Sequence, residues 1–315
     1  MNKFRRPTEY RSGYVPCPFA RGVMHNTSLR QLLILLMMTF SISMPRLTAL
    51  PIQEKQIQSE EPTQAIVSLS PNVTETLYAL GVGNLLVGRS DYCNYPEEAL
   101  SLPSVGTLYN PSLEKLLSLE PTLVISSAFV SEGLLASIRQ AGIDVLSLHT
   151  DQSVQGTYAL IRGVADAVGR QKEAELMILN MQNEVRTVFM EAQNKHKKTV
   201  YVVLDFASFD ATATGDTFLG EMIELAGGIN IAKDATNWTY SKELLMHHDP
   251  EIILLSPRWG ERGEQTLAEF TSTKPYADLH GDIRLFDADL VSRQGPRTAE
   301  ALALLYDLIH QESKE

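Results

Sequence analysis

Two glutamates stand in nearly the same frame, far apart in the chain. Glu114 lies in Ser112-Leu-Glu-Lys-Leu-Leu-Ser-Leu-Glu-Pro-Thr-Leu-Val-Ile125, and Glu243 in Ser241-Lys-Glu-Leu-Leu-Met-His-His-Asp-Pro-Glu-Ile-Ile-Leu254. Each precedes a Leu-Leu pair, and a proline (Pro121, Pro250) follows each by seven residues, ahead of a β-rich run. The frames are 129 residues apart (243 − 114), close to the size of a small domain. That period is too long for a solenoid and implies two similarly built lobes. One carboxylate placed alike on each lobe suits docking onto a two-fold partner.

A second set of residues could grip a ligand. Tyr92 and Tyr109 precede the end of the first repeat, while Phe206, Trp238 and Trp259 surround the second; Tyr95, Phe209 and Tyr240 lie beside them. All fall in loops marked by Pro, Gly, Asn or Ser, most of them just after a strand. In open α/β sheets ligands bind outside the carboxyl ends of the strands. Aromatic faces from two lobes, meeting there, would hold a large and partly apolar ligand.

Catalytic patterns are thin. The chain has no Gly-x-Gly-x-x-Gly after a strand, no P-loop and no Gly-x-Ser-x-Gly elbow. Gly81-Val-Gly83 follows a helical pattern and reads as its stop. His247 and His248 are adjacent but lack a third ligand at metal spacing. Of the two cysteines, Cys93 reads as a packed thiol, and Cys17 lies in the segment expected to be removed. With 315 residues, 44% of them hydrophobic, and a net charge of −11, the chain fits a soluble two-domain protein. That charge argues against nucleic acid or an anionic membrane as a partner.

The elements that must position these residues alternate between strand and helix. Strands are expected at 65–69, 87–91, 123–126 and 143–148, with helices at 71–80, 113–119 and 132–141 between them. Such alternation gives a mostly parallel sheet covered by helices. Residues 153–195 carry only helical periodicity, with Gly169 as a break. A second alternation begins at Thr199-Val-Tyr-Val-Val-Leu204 and closes with an amphipathic helix over 297–310. The organisation is therefore an N-terminal lobe at 64–150, a linker helix at 151–197 and a C-terminal lobe at 198–315. Ahead of them, Arg21, Arg30 and the apolar run 32–40 read as a secretory signal within residues 1–49, with translation starting at Met1 or Met24. Residues 50–63 read as a polar, flexible mature N-terminus. No cysteine directly follows the apolar run, so the expected destination is a periplasm, without a lipid anchor.

Four motifs carry a resemblance. Ile66-Val-Ser-Leu-Ser-Pro-Asn-Val-Thr-Glu75, Asp91-Tyr-Cys-Asn-Tyr-Pro96, Val105-Gly-Thr-Leu-Tyr-Asn-Pro-Ser-Leu-Glu114 and Gly295-Pro-Arg297 resemble the periplasmic binding proteins of ABC importers for cobalamin and iron(III)-siderophores or haem. The likeness runs from about residue 64 to the C-terminus. It implies the class III α/β fold, two Rossmann-like lobes joined by a single long helix and opening little. It implies that Glu114 and Glu243 pair with arginines of a permease dimer, and that Tyr92, Phe206, Trp238, Asp289 and Arg293 contact the ligand. Leu108 and Leu290 depart from the pattern, standing where a cobalamin binder has Trp, with Tyr109 beside Leu108.

The expected function is capture of a metal chelate, cobalamin or another corrinoid first, and its delivery to a permease by a monomer without catalysis or cofactor. A siderophore or haem is the alternative cargo. Tyr92 or Tyr109 could ligate haem iron, and Arg89, Arg258, Arg293 and Arg297 could meet an anionic siderophore, although Arg297 could instead cap the last helix. The competing class is a two-lobed enzyme of nitrogenase-like or chelatase type; a single mature cysteine argues against the first.

Overall fold

The computed structural model describes residues 64–312 except 129, 208 and 259. The expected signal, the polar stretch at 50–63 and Trp259 lie outside the described residues. Two four-stranded parallel sheets organise the rest. The first contains β1 (Ile66–Ser68), β2 (Leu86–Arg89), β3 (Leu123–Ser126) and β4 (Asp144–Ser147), in the order β2-β1-β3-β4. The second contains β5 (Thr199–Val203), β6 (Ile229–Asn230), β7 (Ile252–Leu255) and β8 (Asp282–Leu285), in the order β6-β5-β7-β8. The two orders are the same topology written twice. Every residue of β1, β3 and β7 is buried, because helices cover both faces; such strands read as unbroken apolar runs.

Helices α1 (Pro71–Ala79), α2 (Leu113–Ser118) and α3 (Glu132–Gln140) alternate with the first sheet. The linker region forms two helices, α4 (Val154–Val168) and the 22-residue α5 (Gln171–Ala192). Gly169 separates them at φ 66°, a left-handed conformation that glycine adopts without steric cost. In the second lobe follow α6 (Phe218–Leu225), α7 (Lys242–His248), α8 (Gly263–Ser272), α9 (Ala288–Val291) and α10 (Thr298–His310). No helix among the described residues is long and apolar enough to cross a membrane.

The repeat seen in sequence extends to backbone detail. Ser112 accepts the Lys115 amide at 3.3 Å at the start of α2, and Ser241 accepts the Leu244 amide at 3.4 Å at the start of α7. These are side-chain caps on otherwise orphaned amides. Leu116 and Leu245 anchor the two helices from beneath. Beyond each helix, Glu120 (φ 47°) and Asp249 (φ 40°) take left-handed conformations immediately before Pro121 and Pro250, where the following ring disfavours right-handed helix.

One apolar core runs through both lobes. Ile66 and Leu77 of the first, Tyr158, Ile161, Ile178 and Met181 of α4 and α5, and Val200, Phe218, Leu302 and Leu305 of the second form a single buried cluster. Each sheet has a further core on its other face. In the N-terminal lobe it is aliphatic, including Leu69, Leu116 and Ile138; in the C-terminal lobe it includes Tyr201, Phe206, Phe270 and Tyr276.

Candidate ligand cleft and docking surface

The carboxyl ends of both sheets border two adjoining cavities. One, about 530 Å³, is lined by Asn72, Tyr92, Leu108, Tyr109, Ser127 and Gln152 from the N-terminal side, and by Asp289, Ser292, Arg293 and Gln294 from the C-terminal lobe. The other, about 600 Å³, is bordered by Leu204, Arg258, Leu285, Phe286 and Asp287 and shares Asp289 with the first. Each lies within the roughly 300–1,000 Å³ usual for small-molecule sites.

Local structure explains the polar wall. Ser70 precedes α1 but does not cap it. Its hydroxyl accepts the amides of Ser127 (3.0 Å) and Ala128 (3.2 Å) instead, while Ser127 donates to Asn72 at 2.6 Å. The loop after β3 is thereby tied to the start of α1, leaving neutral hydroxyl and amide groups toward the cavity. Above them, the Tyr92 and Tyr109 rings meet edge to face at 6.3 Å, a favoured aromatic geometry. Tyr109 remains 75% exposed. A bridge between Gly106 and Pro111 closes its loop directly ahead of α2.

A buried ion cluster fastens the lobes at the base of this cavity. Glu75 of α1, with a side chain only 2% exposed, meets Arg293 at 3.0 Å and Arg297 through two bonds of 2.9 and 2.8 Å. Arg293 also donates to Asn94 (2.8 Å) and to the Tyr92 carbonyl (3.4 Å), and it pairs with Asp289 at 2.8 Å. Asn94 in turn donates to Asp289 at 2.8 Å. Burying charge is costly unless geometry and hydrogen bonds compensate, and here the bidentate Arg297 contact and the shared acceptors do so. Burial alone would lower the Arg297 pKa, but the Glu75 carboxylate reverses this and holds it above its ordinary value. Arg297 also lies over the Tyr95 ring at 3.8 Å. It occupies the position before α10 without a side-chain cap bond, so its guanidinium serves the interlobe cluster.

Tyr92, Tyr109, Asp289 and Arg293 therefore border one cavity. Trp238 does not line either one. It and Asn237 hold left-handed conformations (φ 62° and 59°), strained for a bulky residue. Asp216 accepts the Asn237 amide at 3.0 Å, Thr214 accepts the Trp238 amide at 3.2 Å, and the Trp238 carbonyl accepts from Thr212 at 2.9 Å. The ring is left 38% exposed. Trp238 stands five residues before Glu243, as Tyr109 does before Glu114; the repeat thus carries an exposed aromatic with each glutamate.

Phe206 departs from its expected place. Its ring is 1% exposed and packs edge-on against Phe270 (5.1 Å) and Tyr276 (5.6 Å). Arg258 covers it at 4.0 Å, so the ring belongs to the lobe's aromatic core and does not face the cleft. Cys93 is also fully buried, 3.3 Å from the Ser90 hydroxyl. Glu114 and Glu243 are exposed on α2 and α7, on equivalent surfaces of the two lobes.

Sequence reasoning passed over Glu75. The available signal was a carboxylate between Val73 and Leu77 in a short helix expected to pack on a sheet, a place where charge needs a partner.

Comparison with known proteins adds to this geometry. A family model described as periplasmic binding protein matches residues 66–279. The chain belongs to the periplasmic binding protein family. It is 30% identical over 255 residues, 79% of this chain and 80% of the relative, to YvrC of Bacillus subtilis, an uncharacterized ABC transporter substrate-binding lipoprotein. It is 28% identical to a vitamin B12-binding protein of Vibrio cholerae, covering 84% of this chain and 92% of that protein. Its fold is similar to that of the apo periplasmic heme-binding protein RhuT from Roseiflexus sp. RS-1, with a TM-score of 0.69, 29% identity and coverage of 78% and 99%.

The fold is that of a class III periplasmic binding protein, as the resemblance implied, and the role is that of the substrate-binding component of an ABC transporter. Members of this family are transport proteins rather than enzymes and work in the periplasm or elsewhere outside the cytoplasm.

Proposed function

We propose that this periplasmic binding protein carries a corrinoid, cobalamin or a close relative, and presents it to a membrane permease through Glu114 and Glu243. The observation that carries the ligand reading is the state of the arginines. Arg293 and Arg297 are committed to Glu75, and Arg293 also to Asp289. Arg258 meets Asp205 at 3.3 Å and Glu269 at 2.7 Å, and it donates to the Phe206 carbonyl at 2.8 Å. Arg89 donates to the Ser90 carbonyl at 3.0 Å. An anionic siderophore or the propionates of haem would need cations, and the arginines that line the cavities, Arg258 and Arg293, are already paired with carboxylates, while Arg89 lines neither cavity. The cavity offers hydroxyls, amides, a carboxylate and two tyrosine rings instead. That set fits a large neutral ligand fringed with amides, whose N–H groups Asp289 and the wall can accept. The vitamin B12-binding relative supports the same choice.

Delivery follows from the repeat. Two exposed carboxylates, each on a capped helix at an equivalent position, suit two arginine pockets related by a two-fold axis. The protein works as a monomer, exported by the signal expected at its N-terminus. No resident cofactor is required, because the metal travels within the cargo.

Visible-absorption titration of the purified mature protein with cyanocobalamin, haemin and a ferric siderophore tests the ligand. Saturable tight binding of cyanocobalamin alone is expected. Preference for haemin or the siderophore would overturn the corrinoid reading and leave the family intact.

A further inference from the structure

We propose that Glu75 sets the charge preference of the cleft without touching the ligand. It is a positioning residue, and this role rests on the ligand reading above.

The buried cluster contains two carboxylates, Glu75 and Asp289, and two guanidiniums, Arg293 and Arg297. Its formal charge is zero. Arg293 and Asp289 line the cavity, whereas Glu75 and Arg297 stand behind them. Glu75 accepts from both arginines and comes from the opposite lobe, so it does two things at once. It holds Arg293 at the cavity wall in its bonds to Asn94 and Asp289. It also cancels a positive charge that, at low effective dielectric, would be felt across the pocket. The face of the cluster toward the cavity is then an Asp289–Arg293 pair, held by Asn94, with no net charge. Such a face accepts neutral polar groups and offers an anion little.

Charge at the back of the cluster should therefore change selectivity in a direction fixed by sign. Glu75→Gln leaves the cluster at +1, and Arg297→Gln leaves it at −1. Both remove hydrogen bonds of comparable kind from the same place. If Glu75 only braced the lobes, the two variants would weaken all ligands together.

The test compares cyanocobalamin, a neutral probe at the corrin periphery, with haemin, which carries two carboxylates. Dissociation constants are measured for both, at low and high salt, on protein whose folding is checked by its melting curve. In E75Q the ratio of haemin to cyanocobalamin affinity should rise about tenfold, and high salt should shrink the gain. In R297Q the ratio should fall, and E75Q/R297Q, again neutral, should return close to the starting value. Equal ratios in all variants, or shifts of the same sign in E75Q and R297Q, would overturn the proposal. Should E75Q fail to fold, R297Q still decides it, because a structural brace predicts no change of ratio there whereas the charge role predicts a fall. A wild-type protein that prefers haemin would defeat the corrinoid reading alone; opposed shifts in the variants would still support the role of Glu75.

Discussion

In the N-terminal lobe the core on the outer face of the sheet is aliphatic, built on Val67, Leu116, Val124 and Ile138. In the C-terminal lobe the corresponding layer holds Tyr201, Phe206, Phe270 and Tyr276. The strand orders match and the helices that carry Glu114 and Glu243 match, yet the two lobes use aromatic residues differently. The first keeps Tyr92 and Tyr109 at the cavity; the second draws Phe206 and Tyr276 inward. The C-terminal lobe also ties α7 to this core. Lys242, the first residue of α7, pairs with Asp210 at 2.9 Å, and the Tyr276 hydroxyl donates to the same carboxylate. In the N-terminal lobe α2 instead continues directly from the loop that carries Tyr109. Equal topology thus sets where each proposed docking carboxylate stands, while the side chains at the cavity depend on which way each loop turns.

The strongest challenge to the equivalence of the lobes is charge reversal at the docking glutamates. E114K/E243K should abolish uptake in reconstituted vesicles and leave cyanocobalamin affinity within about twofold, since exposed substitutions rarely disturb the fold. Each single reversal should cost uptake to a similar degree. A large inequality would show that the permease uses one lobe and would break the two-fold comparison.

The contrast between aromatic residues comes next. F206A should lower stability by about 3–5 kcal/mol, the usual cost of emptying a buried phenylalanine site, as read from urea unfolding. Y109A should leave stability within about 0.5 kcal/mol and weaken ligand binding by about tenfold, in line with loss of one aromatic contact of about 1.5 kcal/mol. If Y109A binds as well as wild type, the N-terminal tyrosines are not the ligand surface.

Helix caps sharpen the repeat on a finer scale. S112A and S241A should each cost about 1 kcal/mol and cost the same, because each hydroxyl accepts the same kind of amide. Unequal losses would mean that the Lys242–Asp210 pair, which has no N-terminal counterpart among the described ion pairs, holds α7 independently of its cap.

The smallest effect belongs to the C-terminal lobe. His310 at the end of α10 is held below its ordinary pKa by burial and by Lys195 and Lys198, against the opposing hydrogen bond to the Ala226 carbonyl. A depressed folded value means that the unfolded chain takes up the proton more readily. Its contribution is therefore complete above about pH 6.5 and is lost as pH falls through the lower folded value. Melting curves should show a slight loss of stability on acidification that H310Q removes.

Much of this architecture was legible because parallel strands buried on both faces leave continuous apolar runs, and because prolines and capping serines punctuate both repeats. Gly169 was readable as a break for the same local reason. Phe206 was not, because a phenylalanine after a strand looks alike whether the next turn leads into the core or out to the cleft. Arg297 allowed two readings until Glu75 was found beside it. Glu75 itself has partners 218 and 222 residues away, a separation at which no spacing rule operates. Trp238 carries its distinguishing feature in a backbone angle that residue type alone does not disclose.

The shared core and the Glu75 cluster also bear on how such a chain reaches its compartment. The carboxylate lies near the start of the described region, and its two arginines lie near the end, both in the turn between α9 and α10. The clasp between the lobes cannot form until those last segments have been made. For a chain exported in extended form, as the proposed function has it, this arrangement gains time: the final clasp cannot close until synthesis is nearly over.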